Sequence, residues 1–149
     1  MSEKRRFIVF IQARMSSARL PGKSLYLFDN IPLVVLVALR AGNQGAKVVV
    51  VTSDHCSDDT LVKALGSFGI ECFRGSLDNV LSRYVAAGKY YKLNQSDIIV
   101  RLTADNLVPD GVLIDELVKT LQEVGGNIGY IGSDYPSDGL PYGVSLEAF

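Results

Sequence analysis

Apolar residues along the chain alternate between short continuous runs and stretches at helical spacing. The runs fall at residues 7–13, 47–52, 70–74, 97–103 and 127–132, and the first, second and fourth are apolar or β-branched at nearly every position. Continuous runs of that length between turn residues read as strands buried on both faces of a parallel sheet. Between them the spacing changes to helical. A helix is expected over 32–41, with Pro32 in its first turn and Gly42 as its stop. It is apolar all round from Leu33 to Leu39, which predicts deep burial. An Asp29-Asn30 turn precedes it. Ser57 is placed to cap a second helix, with Asp58 and Asp59 in its first turn and Leu61, Val62, Leu65 and Phe68 as its inner stripe. Ser76 is placed to cap a third, in which Leu77, Val80, Leu81, Tyr84, Val85 and Gly88 follow helical spacing. Asp110 caps a fourth, with Leu113, Leu117, Val118 and Leu121 facing inward and Gly125-Gly126 ending it. Strands alternating with helices predict an α/β, three-layer αβα domain with a mainly parallel sheet and right-handed crossovers.

In such sheets ligands collect at the carboxyl ends of strands, and residues 12–23, 52–54, 74–79 and 103–105 all lie there. Residues 12–23 carry the strongest signal. Arg14, Arg19 and Lys23 fall within ten residues, and no acid occurs from Ala13 to Phe28. Small residues and Pro21-Gly22 keep the backbone turning, so the three cations can face one bound polyanion. The spacing matches neither the GxxxxGK[ST] phosphate loop nor the GxGxxG fingerprint. Composition narrows the partner. With 48% hydrophobic residues, 149 residues fill one domain with a real core, and a net charge of -1 lacks the broad basic face a nucleic-acid binder needs. The positive charge is local and suits a small anion. No apolar run approaches the roughly 18 residues of a membrane span, and the short run after the charged start fails as a signal peptide. Cys56 and Cys72 are not spaced as a metal or redox pair, so two reduced thiols in a cytoplasmic protein are expected.

Gln12-Ala13-Arg14, Ser17, Arg19-Leu20-Pro21-Gly22-Lys23 and Leu25 reproduce a loop reading (I/V)(P/Q)AR-x-x-S-x-R-L-P-G-K-x-L. This resembles the opening of the sugar-acid cytidylyltransferases, the makers of CMP-Kdo and CMP-sialic acid, and most of all their spore-coat polysaccharide branch. The resemblance implies the glycosyltransferase-A-like nucleotidyltransferase (nucleotide-diphospho-sugar transferase) fold. It also implies CTP and a sugar-acid acceptor as partners, with Mg²⁺ as cofactor and a homodimer as the assembly.

A second segment, Arg101-Leu102-Thr103-Ala104-Asp105-Asn106-Leu107-Val108-Pro109-Asp110, is similar to the family's R-x-T-G-D-C-P-L-x-D. A carboxylate just past a buried strand can hold a divalent cation that bridges phosphate oxygens, and Asp105 matches the family's metal-binding position. Asp105 also reads as a loop cap, although its strand-end position favours the metal role. Ala104, Asn106 and Leu107 depart from the pattern. Arg101 lies within a strand and needs a carboxylate or ligand partner. The third segment runs from Arg74 to Tyr84 and is similar to the family's R-G-S-x-D-D-V-L-x-R-Y, with Asn79 at the second Asp. The resemblance assigns it to the nucleotide pocket. Read without it, Ser76 is a helix cap, Asp78 a dipole partner and Arg83 a solvated charge.

His55, the single histidine, reads as a surface loop residue, and no Ser-His-Asp or His-Cys set can be assembled. Nucleotidyl transfer needs none. The resemblance implies attack by a sugar-acid hydroxyl on the α-phosphorus of CTP. It assigns Arg14, Lys23 and Asp105 as catalytic residues and Gln12, Ala13, Arg14, Ser17, Arg19, Lys23, Arg74, Ser76 and Asp78 as nucleotide-binding, with Asp105 on the metal. The end of the chain, through Ser145, Glu147 and Phe149, resembles the family's P-x-G-L-D-V-E-V-F, with Ser145 at an expected Asp. Family members continue beyond it, so the expected organisation is one nucleotidyltransferase-like domain over 1–149, truncated at its C-terminus. Two alternatives stand beside a cytidylyltransferase. One is a nucleotide-binding domain without turnover. The other is a glycosyltransferase using a nucleotide sugar, which ranks last because Asp105-Asn106-Leu107 is not a DxD motif.

Overall fold

The computed structural model describes residues 6–124, 129–132 and 147–148. Four parallel strands form the centre of the molecule: β1 (Phe7–Gln12), β4 (Val48–Ser53), β5 (Cys72–Gly75) and β6 (Ile98–Thr103), in the spatial order β5-β4-β1-β6. β1 and β4 are buried along nearly their whole length, as their continuous apolar runs require. Beyond β6 the sheet continues with β8 (Glu147–Ala148) and then β7 (Ile131–Gly132), both joined antiparallel. The strand expected at 127–132 is thus seen as β7, with residues 127–128 outside the described set.

Helices cover both faces, giving the expected three layers. On one face α1 (Leu33–Ala41), α2 (Asp59–Ser67) and α4 (Gly111–Val124) place Val34, Val35, Leu61, Leu65, Ile114 and Val118 against Val9, Ile11, Val50 and Leu102. On the other, α3 (Val80–Tyr90) packs Tyr84 and Ala87 onto Ile8, Phe10, Val49 and Val51. Between β1 and α1 lies a small hairpin of β2 (Leu27–Phe28) and β3 (Ile31–Pro32). Its turn holds Asp29 at φ 50 and Asn30 at φ 65, the doubly left-handed geometry of a two-residue loop that Asp and Asn tolerate best.

Several local expectations are corrected. Leu39 is exposed on α1, and Phe68 closes α2 facing outward. The second helix is entered through a short turn, Cys56–Asp58, capped by His55, whose Nδ1 accepts the Ser57 N–H; Ser57 is not the cap. Asn79 caps α3 by accepting the Ser82 N–H, while Ser76 Oγ accepts from the Asn79 N–H one turn earlier. The inward stripe of α3 is Arg83, Tyr84 and Ala87, and Leu81 and Val85 point to solvent. Asp110 does cap α4, accepting the Leu113 N–H at 3.1 Å. The glycines expected to end that helix lie outside the described residues. Cys56 and Cys72 are free thiols. No helix among the described residues is long and apolar enough to cross a membrane.

Candidate functional site

Adjacent parallel strands bring the two chemistry-bearing segments together. β1 and β6 are paired so that Gln12 lies opposite Thr103, and the Ala104 N–H donates to the Gln12 carbonyl at 3.0 Å. The loop after β1 and the turn after β6 therefore leave the sheet side by side, at its carboxyl edge. The first is closed on itself. The Gly22 N–H donates to the Met15 carbonyl, and the chain then enters a short turn at Lys23–Leu25 with Ser24 buried beneath it. Gly22 turns at φ 74, a left-handed value that glycine alone adopts freely.

A cleft of about 430 Å³ opens between the segments, lined by Gln12, Ala13, Arg14, Ser17, Arg19, Lys23 and Asp105 among the sequence-predicted residues. Ser16, Ala18, Ser24, Thr103 and Ala104 complete the wall. Lys23 Nζ forms an ion pair with Asp105 across the cleft, both side chains partly exposed. Burial alone would raise the Asp105 carboxyl, but hydrogen bonds from Lys23 and Thr103 outweigh it and hold the group below its ordinary value. Asp105 is thus anionic. Asp105 is the one carboxylate among the described residues that line the cleft, so a metal held there by these residues would have one protein carboxylate. That donor set fits magnesium, which takes one or two carboxylates and fills its remaining positions with phosphate oxygens and water.

The third segment takes a different place. Arg74 donates to the Ser53 and His55 carbonyls at 3.0 and 2.9 Å and pairs with Asp59 at 2.7 Å. Its guanidinium ties β5 to the end of β4. Ser76 Oγ accepts the Asn79 N–H, and Asp78 is exposed; none of the three lines the cleft. The segment meets the site through its main chain, since Arg14 Nη1 donates to the Leu77 carbonyl at 3.3 Å. Arg101 reaches Gln12 Oε1 at 3.5 Å, on the neighbouring strand.

Two charged residues that hold this arrangement escape the sequence reading. Asp58, expected as a dipole partner in the first turn of a helix, is fully buried. Its carboxylate accepts the Met15 N–H at 2.8 Å, the Thr52 hydroxyl at 3.0 Å, the Ser53 N–H at 3.1 Å and the Ser53 hydroxyl. Burial would raise this carboxyl, and those hydrogen bonds together bring it below its ordinary value. Two hydroxyls at a strand end with an acid five and six residues on are the only sequence trace of that knot. Arg83, a solvated charge in the reading made without the resemblance, is fully buried on α3. Its neighbours Tyr84 and Ala87 would have given the phase, had the exposed Leu81 and Val85 not suggested another.

Solved nucleotidyltransferases share this architecture. A cytidylyltransferase from Leptospira borgpetersenii superposes with a TM-score of 0.85 at 30% identity, over 97% of this chain and 60% of that one. A CMP:2-keto-3-deoxy-manno-octonic acid synthetase solved with CTP gives 0.67 at 24% identity, over 79% of this chain and 48% of that one, a likeness of fold. The chain belongs to the cytidylyltransferase family, whose sequence profile matches residues 8–134. It is 33% identical over 130 residues to the spore coat polysaccharide biosynthesis protein SpsF of Bacillus subtilis, covering 83% of this chain and 53% of that protein. It is 36% identical over 119 residues to a 3-deoxy-manno-octulosonate cytidylyltransferase of Methylibium petroleiphilum, covering 78% of this chain and 44% of that enzyme. The chain thus spans about half the length of the curated relatives it matches.

Proposed function

We propose that the chain carries the nucleotide site of an enzyme that transfers CMP from CTP to a sugar acid of the nonulosonic type, for surface or spore-coat polysaccharide synthesis in the cytoplasm. One observation carries the reading: Arg14, Arg19 and Lys23 face Asp105 across a single cleft at the carboxyl edge of a parallel sheet. Cations on one wall and a carboxylate on the other suit a triphosphate, with Arg14, Arg19 and Lys23 on its oxygens. Asp105 would hold Mg²⁺, which supplies neutralisation of phosphate charge when bound. A hydroxyl of the acceptor attacks the α-phosphorus and pyrophosphate leaves, so the protein's task is alignment and charge rather than covalent catalysis. The cytosine preference rests on the family and the sugar acid on its named members, while a homodimeric assembly rests only on the resemblance of the sequence. In this reading Arg74, Ser76 and Asp78 support the pocket from behind rather than touching the phosphates.

Calorimetric titration with CTP, ATP, GTP and UTP, with and without Mg²⁺, tests it. CTP is expected to bind selectively, with the affinity depending on Arg19 and Lys23. Equal affinity for all four nucleotides would remove the cytidine assignment. Unchanged binding in Arg19→Ala and Lys23→Ala would remove the site. Pyrophosphate release with a panel of 2-keto sugar acids then identifies the acceptor.

A further inference from the structure

Arg83 is the largest fully buried side chain among the described residues. Its hydrogen bonds go to main-chain carbonyls: Nε and Nη2 donate to the Ser76 carbonyl at 2.8 and 2.6 Å, and Nη2 to the Leu77 carbonyl at 3.0 Å. Nη1 has no hydrogen-bond partner among the described residues. A buried guanidinium left incompletely satisfied is costly, and an apolar side chain of similar volume would avoid the cost. Yet the fold makes room for it. A methyl at Gly75 would stand 3.0 Å from Arg83 Cγ, so the end of β5 is bare where the arginine stem passes.

The Leu77 carbonyl connects this residue to the cleft. It accepts from Arg83 Nη2 and also from Arg14 Nη1, using the two lone pairs a carbonyl oxygen offers. Arg14 lines the cleft and Arg83 does not. Their proximity is also felt electrostatically: burial first, and the charge of Arg14 next, hold the Arg83 guanidinium below its ordinary value. One oxygen fixed from behind by a buried fork therefore fixes a second guanidinium in front of it.

We propose that Arg83 is a positioning residue: through the Leu77 carbonyl it holds the Arg14 guanidinium facing the cleft before any nucleotide arrives. The functional importance of this relay rests on the reading of Arg14 as a phosphate-binding cation. A cation already held in place loses less freedom on binding than one swinging in solvent. Lysine at position 83 would keep the charge and lose the fork that grips both carbonyls.

The test compares the wild type with Arg83→Lys and with Leu77→Gly, which leaves Arg83 in place and loosens the shared carbonyl. Nitrogen relaxation of the Arg14 Nε–Hε group in the ligand-free protein should show it ordered in the wild type and mobile in both variants, with a native amide spectrum retained. An Arg14 group equally ordered in folded variants, or already mobile in the wild type, overturns the proposal. If Arg83→Lys does not fold, Leu77→Gly decides the matter alone. Titration with CTP and Mg²⁺ gives the second readout. The Kd should rise about tenfold in Arg83→Lys, as for a displaced binding group. It should rise no further when the change is added to Arg14→Ala. Additive losses in that double variant overturn the relay. If Arg14→Ala itself binds CTP as the wild type does, the phosphate reading falls while the relaxation result still judges the positioning.

Discussion

The Met15 N–H donates to the Asp58 carboxylate at 2.8 Å, across 43 residues of sequence. Met15 follows Arg14 in the loop after β1, and Asp58 ends the turn after β4. One buried carboxylate thus fastens the cationic loop to the neighbouring strand end. Replacing it by alanine would strand the Met15 and Ser53 N–H groups and the Thr52 and Ser53 hydroxyls. Asp58→Ala should cost about 2–4 kcal/mol of stability, with Asp58→Asn costing less because one acceptor oxygen is kept. Urea unfolding measures both, and an unchanged midpoint in Asp58→Ala would show that the knot contributes nothing.

The same group sets an acid dependence. In the folded state this carboxyl is held below its ordinary value, its hydrogen bonds outweighing the effect of burial. A carboxyl depressed in the folded state contributes stability that is present above the unfolded value and lost as pH falls through the folded one. Unfolding free energy of the wild type should therefore begin to fall as pH drops below about 5 and keep falling until the folded-state carboxyl is itself protonated. In Asp58→Asn the drop should be shallower by that one group's share. Parallel pH profiles for the two proteins would refute this.

Lys23 and Asp105 form a partly exposed pair, with side-chain exposures of 32% and 43%. Solvent-screened pairs stabilise by about 0–1 kcal/mol, so Asp105→Asn should leave the thermal midpoint almost unmoved. Its effect should appear in binding, as loss of the part of CTP affinity that depends on Mg²⁺. Retention of the full Mg²⁺ increment would place the metal elsewhere.

Gly111 opens α4 where Asn43 Oδ1 accepts its N–H at 2.9 Å. A Cβ there would collide with that same oxygen and come within 2.8 Å of the Gln44 side chain. Asn43 cannot retreat without breaking the bond, so Gly111→Ala should destabilise by about 1–3 kcal/mol despite alanine's better helix propensity. Differential scanning calorimetry would show a lowered midpoint, and a raised one would mean that the Asn43–Gln44 turn yields freely.

The sheet was readable because β1 and β4 are buried on both faces, so their sequences are nearly unbroken apolar runs. The convergence of the cationic loop with Asp105 was readable for a topological reason, since both follow strands of one parallel sheet. Helix α3 was misphased because its most buried member is an arginine, which hydropathy counts as polar, while Leu81 is 73% exposed. Caps were displaced where several side chains could serve: His55, Ser57 and Asp58 compete within four positions, and geometry alone decides among them. The role of Asp58 stayed hidden because its partners are main-chain N–H groups and hydroxyls on other elements, which leave little mark in local sequence.

Strand β6 lies beside β1, pairing Ile98 with Phe7, although 91 residues of sequence separate the two. A nascent polypeptide released only as far as Ser96 therefore displays every cation of the future cleft with no opposite wall. Seating β6 is the long-range event that such topologies delay, and it is the expected slow step of folding. CTP could reward the finished sheet but could not scaffold its beginnings.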